Sequence, residues 1–237
     1  MRIDKMISSM GIASRREIAK VARGGGILVD GVPAKDPSKH IDPEKCTVTY
    51  LGRVLRYQAY VYVMLNKPTG YVSATEDKRL PYVLELLSKE HQSMELFPVG
   101  RLDRDTTGLM ILTNHGTLAH DLLSPKHHVE KEYRFTVESP LPKEAEAKLL
   151  DGITIDGGER CKSAVLHPDE SRMGGTIVLT EGKYHEIKRM MEALGTRIVT
   201  LERIRFAEIL LDPTLERGAW RELTESEVEI LLSHKIK

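Results

Sequence analysis

Residues 14–33 read Ser-Arg-Arg-Glu-Ile-Ala-Lys-Val-Ala-Arg-Gly-Gly-Gly-Ile-Leu-Val-Asp-Gly-Val-Pro, and the architecture of the front of the chain follows from them. Ser14 with Glu17 three residues later is a capping box, in which each side chain takes up a backbone N–H that a first helical turn leaves without a partner. Ile18, Val21 and Ala22 supply that helix with an apolar face, and Gly24-Gly25-Gly26 end it. Asp30-Gly31 then separates Ile27-Leu28-Val29 from Val32-Pro33, two short apolar runs across an Asp-Gly turn, which predicts a β-hairpin. Upstream, Ile3, Met6, Ile7 and Met10 recur at helical spacing as far as Gly11, so another helix comes first. Downstream, Thr47-Val48-Thr49-Tyr50 predicts a closing strand, and the polar, Arg-rich stretch 52–58 reads as a linker. Two helices on a small hairpin sheet, residues 1–58, make one unit.

From residue 59 to 237 the texture changes to short strands alternating with helices. Tyr60 to Leu65, Leu109 to Leu112, Tyr133 to Val137, Ile153 to Ile155, Ala164 to Leu166, Ile177 to Leu179 and Ile198 to Ile204 predict strands. Helices are expected around Val83 to Leu87, Leu118 to Leu123, Lys143 to Leu150 and Ile187 to Leu194, with a last one opened by the capping box Thr224–Glu227. The fold class expected is mixed α/β, a small N-terminal domain followed by a larger one of a size that one core can fill.

The 237 residues are 41% hydrophobic and 30% charged, which excludes a disordered or collagen-like chain. Charged residues through the first twenty positions and the want of a long apolar run point to a cytoplasmic protein without a membrane segment. Cys46 and Cys161 form no paired motif, so neither a disulfide framework nor a cysteine-rich zinc site is expected. The 35 basic residues balance the 35 acidic ones overall, but residues 1–60 carry a net charge of about +5 and the remainder an equal negative excess. Within that basic part, Arg16, Lys20 and Arg23 are spaced to form one stripe along a helix, with Arg15 beside it, which suits a phosphate backbone as well as a solvated face.

Taken together, Arg2-Ile3-Asp4-Lys5, Gly11, Ser14-Arg15-Arg16-Glu17, the glycine break and Val29-Asp30-Gly31 resemble the S4 RNA-binding domain, which commonly has Asn where Asp30 stands. The resemblance implies that Arg15, Arg16, Lys20 and Arg23 contact structured RNA, reading shape and phosphates rather than bases.

Gly100-Arg101-Leu102-Asp103-Arg104-Asp105-Thr106-Thr107-Gly108-Leu109 sets carboxylates, hydroxyls and glycines in a loop directly before a buried strand, where active sites concentrate. Taken alone, the loop admits three readings: a turn satisfying its own backbone, the start of a calcium loop whose twelfth position, Asn114, lacks the needed glutamate, and a catalytic aspartate. The Asp-x-Asp-x-Thr spacing also spells an aspartyl-phosphate phosphatase motif, yet Pro98, Gly100 and Arg101 interrupt the strand that motif requires. The whole phrase instead resembles the central motif of the RsuA-like pseudouridine synthases, in which the position of Asp103 is catalytic. Lys131-Glu132-Tyr133 matches that family's Lys-x-Tyr motif, implying that Tyr133 stacks on the target base and helps remove its C5 proton. Glu181 to Met191 resembles the last motif, implying that Lys188 pairs with Asp103; Glu186 stands where Gln is common. Asn66-Lys67-Pro68-Thr69-Gly70 matches a further turn of the family, implying that it supports the floor of the site, with Lys67 as a phosphate contact. Arg101 is expected to fill the space left by an extruded base, and Arg189 to contact RNA.

What the resemblance implies is therefore an S4-like domain followed by a pseudouridine synthase domain with a mixed, mainly antiparallel sheet. Its partner would be ribosomal RNA or an assembly intermediate, most closely of the small-subunit branch, acted on by a monomer. The chemistry involves no redox step or phosphoryl transfer, so no cofactor and no metal are expected; His115, His120 and His127-His128 have no ligand spacing to suggest one. Activity on large-subunit rRNA and a non-catalytic ribosome assembly factor of the same fold are the alternatives.

Overall fold

The computed structural model describes residues 1–124 and 129–234, which fall into two compact units. The first comprises Met1–Val61 together with Leu87–Phe97, so that the second, Tyr62–Leu86 and Pro98–Lys237, is discontinuous where an unbroken 59–237 was expected.

In the first unit, helix α1 (Ile3–Ser9) precedes α2 (Arg15–Arg23), whose capping box is complete, Ser14 N–H donating to Glu17 Oε2 at 2.9 Å. A four-stranded sheet in the order β2-β1-β3-β4 is built from β1 (Ile27–Val29), β2 (Val32–Pro33), β3 (Val48–Tyr50) and β4 (Arg53–Leu55). Asp30 and Gly31 both take positive φ, 50° and 80°, which is the turn whose twist matches a hairpin. The stretch 52–58 is not a linker throughout: Arg53–Leu55 pairs with β3 across Leu51 and Gly52, again both at positive φ. Leucine at such a position is unfavourable, so Leu-Gly gave no turn signal. The core joins Ile3, Met6, Ile7, Ile18, Ala22, Ile27, Val48 and Leu55, and each large aliphatic side chain buried there contributes about 1.5–3 kcal/mol. The short α3 (Lys89–Gln92) belongs here because Gly11 has no side chain: a Cβ on it would lie 2.4 Å from the Glu90 carbonyl oxygen.

Past β6 (Phe97–Pro98), where the chain leaves the first unit, the second unit is one large sheet, mixed and mainly antiparallel. Its strands are β5 (Tyr62–Lys67), β7 (Thr107–Thr113), β8 (Lys131–Val137), β9 (Val165–Pro168), β10 (Gly174–Leu179), β11 (Ile198–Phe206), β12 (Ile209–Leu210) and β13 (Trp220–Glu222). The order runs β13-β5-β7-β11-β8-β10-β9 with β12 on β11, and β7 with β11 is the parallel pair. Helices α4 (Gly116–Leu123), α5 (Ala145–Asp151), α6 (Glu186–Ala193) and α7 (Glu225–Ser233) accompany it. Val63 to Leu65, Leu109 to Leu112, Ile177, Met190, Met191 and Phe206 are all buried to within 1% of complete. Val83–Leu86 is a 3-10 turn rather than an α-helix, and Ile153 to Ile155 form no strand, only a bridge from Thr154 to Arg160 ahead of a tight turn at Gly157. No helix among the described residues is long and apolar enough to cross a membrane.

Candidate active site

Two strand ends and one helix start converge on Asp103. The loop carrying it is tied down on several sides. Ser73 Oγ donates to the Leu102 carbonyl at 2.7 Å and accepts from its N–H at 2.9 Å, and Gly70 N–H donates to the Arg104 carbonyl. Lys67, at the end of β5, is fully buried, and its ammonium donates to the carbonyls of Thr106 (2.8 Å), Asp103 (3.0 Å), Pro68 (3.2 Å) and Arg104 (3.3 Å). Burial pulls its pKa down to about 8, against the pull of Asp105 and Asp103. The expectation that Lys67 contacts phosphate is corrected: with no exposed surface it holds the loop from beneath. Beyond the loop, Gly108 (φ 98°) lets β7 close on β11, since a Cβ there would lie 2.3 Å from the Arg203 carbonyl oxygen.

The structure brings Lys188 to Asp103. Its ammonium lies 2.9 Å from Asp103 Oδ2 and 2.6 Å from Asp105 Oδ1, reaching from the first turn of α6. A cation at a helix N-terminus is disfavoured by the dipole, and the two carboxylates supply the compensation. Burial lowers the Lys188 pKa, but its hydrogen bonds to Asp105 and Asp103 outweigh this and the net shift is upward. Asp105 is burdened by partial burial, yet Lys188 leaves its pKa below the ordinary value. His185 completes the ring, with Nε2 3.6 Å from Asp103 Oδ1. Sequence reasoning missed Asp105 as a Lys188 partner, and it missed His185, whose position depends on a left-handed backbone turn (φ 50°) without a local sequence signal.

Tyr133, 8% exposed, lies on β8 opposite Arg203 on β11. Burial pushes the phenol pKa up against the influence of Arg203, so the group is a neutral phenol at neutral pH. Arg203 is 1% exposed; its Nε donates to the Leu109 carbonyl at 2.7 Å, while its Nη2 has no hydrogen-bond partner among the described residues. Lys131, two residues before Tyr133 on the same face, is lowered to about 8 by burial and by Arg203. The floor beside Asp103 is therefore cation-rich. Arg203 was missed by sequence reasoning, although its place two residues after the buried Leu201 in an alternating strand was a readable signal.

The remaining expectations divide. Arg101 is exposed, two residues from Asp103. Arg189, expected as an RNA contact, has its guanidinium, 19% exposed, engaged by Asp156, Glu159 and the carbonyls of Asp156 and Tyr184. Arg15, Arg16, Lys20 and Arg23 are exposed on α2, and none is in an ion pair among the described residues. His115 is buried with its ring nitrogen 2.7 Å from the Tyr62 hydroxyl, His120 lies beside Asp121, and His127-His128 fall outside the described residues. One convergent set of possible metal ligands occurs among the described residues, Cys161, Glu181 and Glu186, with one atom of each within 4.8 Å of the others. Burial pushes the Cys161 thiol up to about 11, and burial together with Glu181 raises Glu186 to about 7. Lys183 lies 3.7 Å from Glu181.

With this geometry in place, the chain matches the model of the RNA pseudouridylate synthase family over residues 61–193 and that of the S4 domain over residues 1–45. It is 43% identical over 98% of both chains to the uncharacterized RNA pseudouridine synthase YtzG of Bacillus subtilis (strain 168). To ribosomal small subunit pseudouridine synthase A of Escherichia coli (strain K12) it is 38% identical, over 96% of this chain and 98% of that one. Among solved structures, a crystal structure of a pseudouridylate synthase superposes with a TM-score of 0.69 at 34% identity, covering 98% of this chain and 99% of the other.

Proposed function

The chain belongs to the RNA pseudouridine synthase family, and from that premise we propose that it isomerises a uridine of small-subunit ribosomal RNA in the cytoplasm, with Asp103 as the catalytic carboxylate. The observation that carries the assignment is the 2.9 Å contact between Lys188 Nζ and Asp103 Oδ2 at the centre of a backbone-anchored loop. The small-subunit target is supported by the relatives of 38–39% identity that carry that name.

The reaction breaks the bond between N1 and the ribose, turns the freed uracil and rejoins it through C5, after which the C5 proton leaves. Each step asks something of these residues. An ionised carboxylate must face the nucleoside, and Lys188 sets a counter-charge 2.9 Å from Asp103 while Lys67 and Ser73 hold the loop in position. The departing base carries negative charge on its carbonyls, which the neutral Tyr133 phenol and the cation-rich floor of Arg203 and Lys131 favour. Because Tyr133 is held as a neutral phenol, it is too weak a base to keep the C5 proton and can only relay it, giving up its own hydroxyl proton as it takes the other. The base must leave the helical stack to reach Asp103, and the exposed Arg101 fills its place. Arg15, Arg16, Lys20 and Arg23 hold phosphates of the folded RNA.

The test uses small-subunit rRNA from cells lacking the protein, treated with purified wild type or Asp103→Asn and mapped for pseudouridine. Wild type should install pseudouridine at a defined small-subunit position. Asp103→Asn should be at least about a hundredfold slower while binding RNA within a few-fold, since an amide replaces a carboxylate of the same shape. Residual activity within tenfold would remove Asp103 from the chemistry, and modification confined to large-subunit rRNA would overturn the target.

A further inference from the structure

Tyr184 is the most exposed of the large hydrophobic side chains among the described residues, at 76%. It is nevertheless held in place. Its ring stacks on His185 with centroids 3.8 Å apart and planes 19° from parallel. Adjacent side chains in a helix or strand point well apart; here the left-handed backbone at His185 lays the two rings face to face. Arg189 Nη1 donates to the Tyr184 carbonyl at 3.2 Å, and Lys183, just before it, is fixed by Glu159, Glu181 and the Arg160 carbonyl. A non-glycine residue in this conformation is maintained only by its surroundings, and such strain collects at functional positions. His185, the inner ring, is 3.6 Å from the Asp103 carboxylate. The pair is a two-ring stack that begins at the catalytic group and ends on an open aromatic face.

We propose that the outer face of Tyr184 is a stacking site for an unpaired nucleobase of the RNA, next to the uridine being isomerised. When a uridine is extruded, its neighbour loses a stacking partner and exposes an apolar face. An aromatic ring already fixed in orientation offers a replacement at little entropic cost, and such stacking accepts any base because every base has a π-face. Tyr184 thereby contributes affinity without reading sequence, and it holds the extruded nucleotide's neighbour in register with Asp103. This inference rests on the RNA pseudouridine synthase reading, and its test separates the two.

Full-length wild type, Tyr184→Ala, Tyr184→Phe and Tyr184→Trp are compared on unmodified, folded small-subunit rRNA transcript, with KM and kcat read from pseudouridine formation and Kd from filter binding. Tyr184→Ala should raise Kd and KM about tenfold with a smaller change in kcat, while Phe and Trp retain wild-type values or tighten them. Equal Kd and KM for wild type and Tyr184→Ala overturns the stacking site, and so does failure of Phe to restore what Ala loses, which would assign the effect to the hydroxyl. A wild type that binds but forms no pseudouridine defeats the proposed activity alone, because the Kd series still decides the stacking site. Thermal melts confirm that the exposed position leaves all four proteins folded.

Discussion

Both units of this chain are rich in lysine and arginine, and they use them in opposite ways. On α2 of the first unit, Arg15, Arg16, Lys20 and Arg23 stand in solvent with no carboxylate partner among the described residues. In the second unit, Lys67 is buried under four carbonyls, Lys188 sits between two aspartates, Arg189 between Asp156 and Glu159, and Arg203 is 1% exposed. Free cations in water project a field that any phosphate backbone feels and that salt screens. Cations held by fixed acceptors act over a few ångströms, and their effect depends on geometry rather than ionic strength. The same residue types thus stand free in water in one region and are held by fixed acceptors in the other.

The sharpest break of this contrast is Lys188→Met. It removes the counter-charge of Asp103 and Asp105 together, so isomerisation should fall by about a hundredfold or more, with little change in the salt dependence of binding. Lys188→Arg should retain part of the activity, since charge survives while reach and geometry change. In Lys188→Met the two carboxylates lose the cation that sat between them, and because Asp105 is largely exposed the stability cost is modest, about 1–2 kcal/mol. Adding Asp103→Asn to Lys188→Met should recover part of it. Strictly additive melting shifts would show that the two side chains are not coupled.

How far these roles were readable before the structure follows the same division. The α2 stripe, the capping box and the Asp30-Gly31 hairpin are local features, encoded within a few residues, and they were legible. Asp103, Tyr133 and Lys188 could be singled out because each lies in a short phrase resembling a known family. What was hidden depends on distant contacts. Lys67 reads as a lysine after a strand, and only the return of the 103–106 carbonyls, nearly forty residues later, makes it a staple. Arg189 reads as a surface cation until Asp156 and Glu159 arrive from the preceding loop. The β3–β4 turn escaped because a leucine occupies a conformation that residue type disfavours.

Neutralising the stripe tests the other half of the comparison. Arg16→Gln, Lys20→Gln and Arg23→Gln combined should raise KM by about tenfold at moderate salt and leave kcat nearly unchanged. The log–log slope of binding against salt should flatten by about 2, at roughly 0.7 for each phosphate that is no longer neutralised. Titrations of the triple variant and wild type over a range of salt concentrations read both effects. An unchanged slope would mean that the stripe is solvated and idle, and the contrast between the units would lose its first term.

The smallest effect on activity, and the finest test of the second unit, comes from Glu186→Gln. Glu186 is 4% exposed at the start of α6, its Oε2 accepts from the Lys183 N–H at 2.9 Å, and its Oε1 has no hydrogen-bond partner among the described residues. Burial and the neighbouring Glu181 raise its pKa to about 7, while Glu181 is shifted downward. Cys161, Lys131 and Tyr133 also face it from the surrounding elements. A protonated Glu186 can donate to Glu181, which satisfies the otherwise orphaned oxygen, and the pair then carries one proton. Since the folded state holds this proton more tightly than the unfolded chain, its stabilisation is complete below about pH 4.5 and is lost as pH rises towards about 7. The full shift corresponds to about 3 kcal/mol. Glutamine keeps the shape and a donor but cannot ionise. Glu186→Gln should therefore lie within twofold of wild-type activity at pH 7, lose less stability than wild type between pH 5 and 8, and hold the Lys183–Lys188 segment in place at higher pH. Parallel melting curves for the two proteins across that range would show that Glu186 is ionised throughout, and that the order of this segment owes nothing to a shared proton.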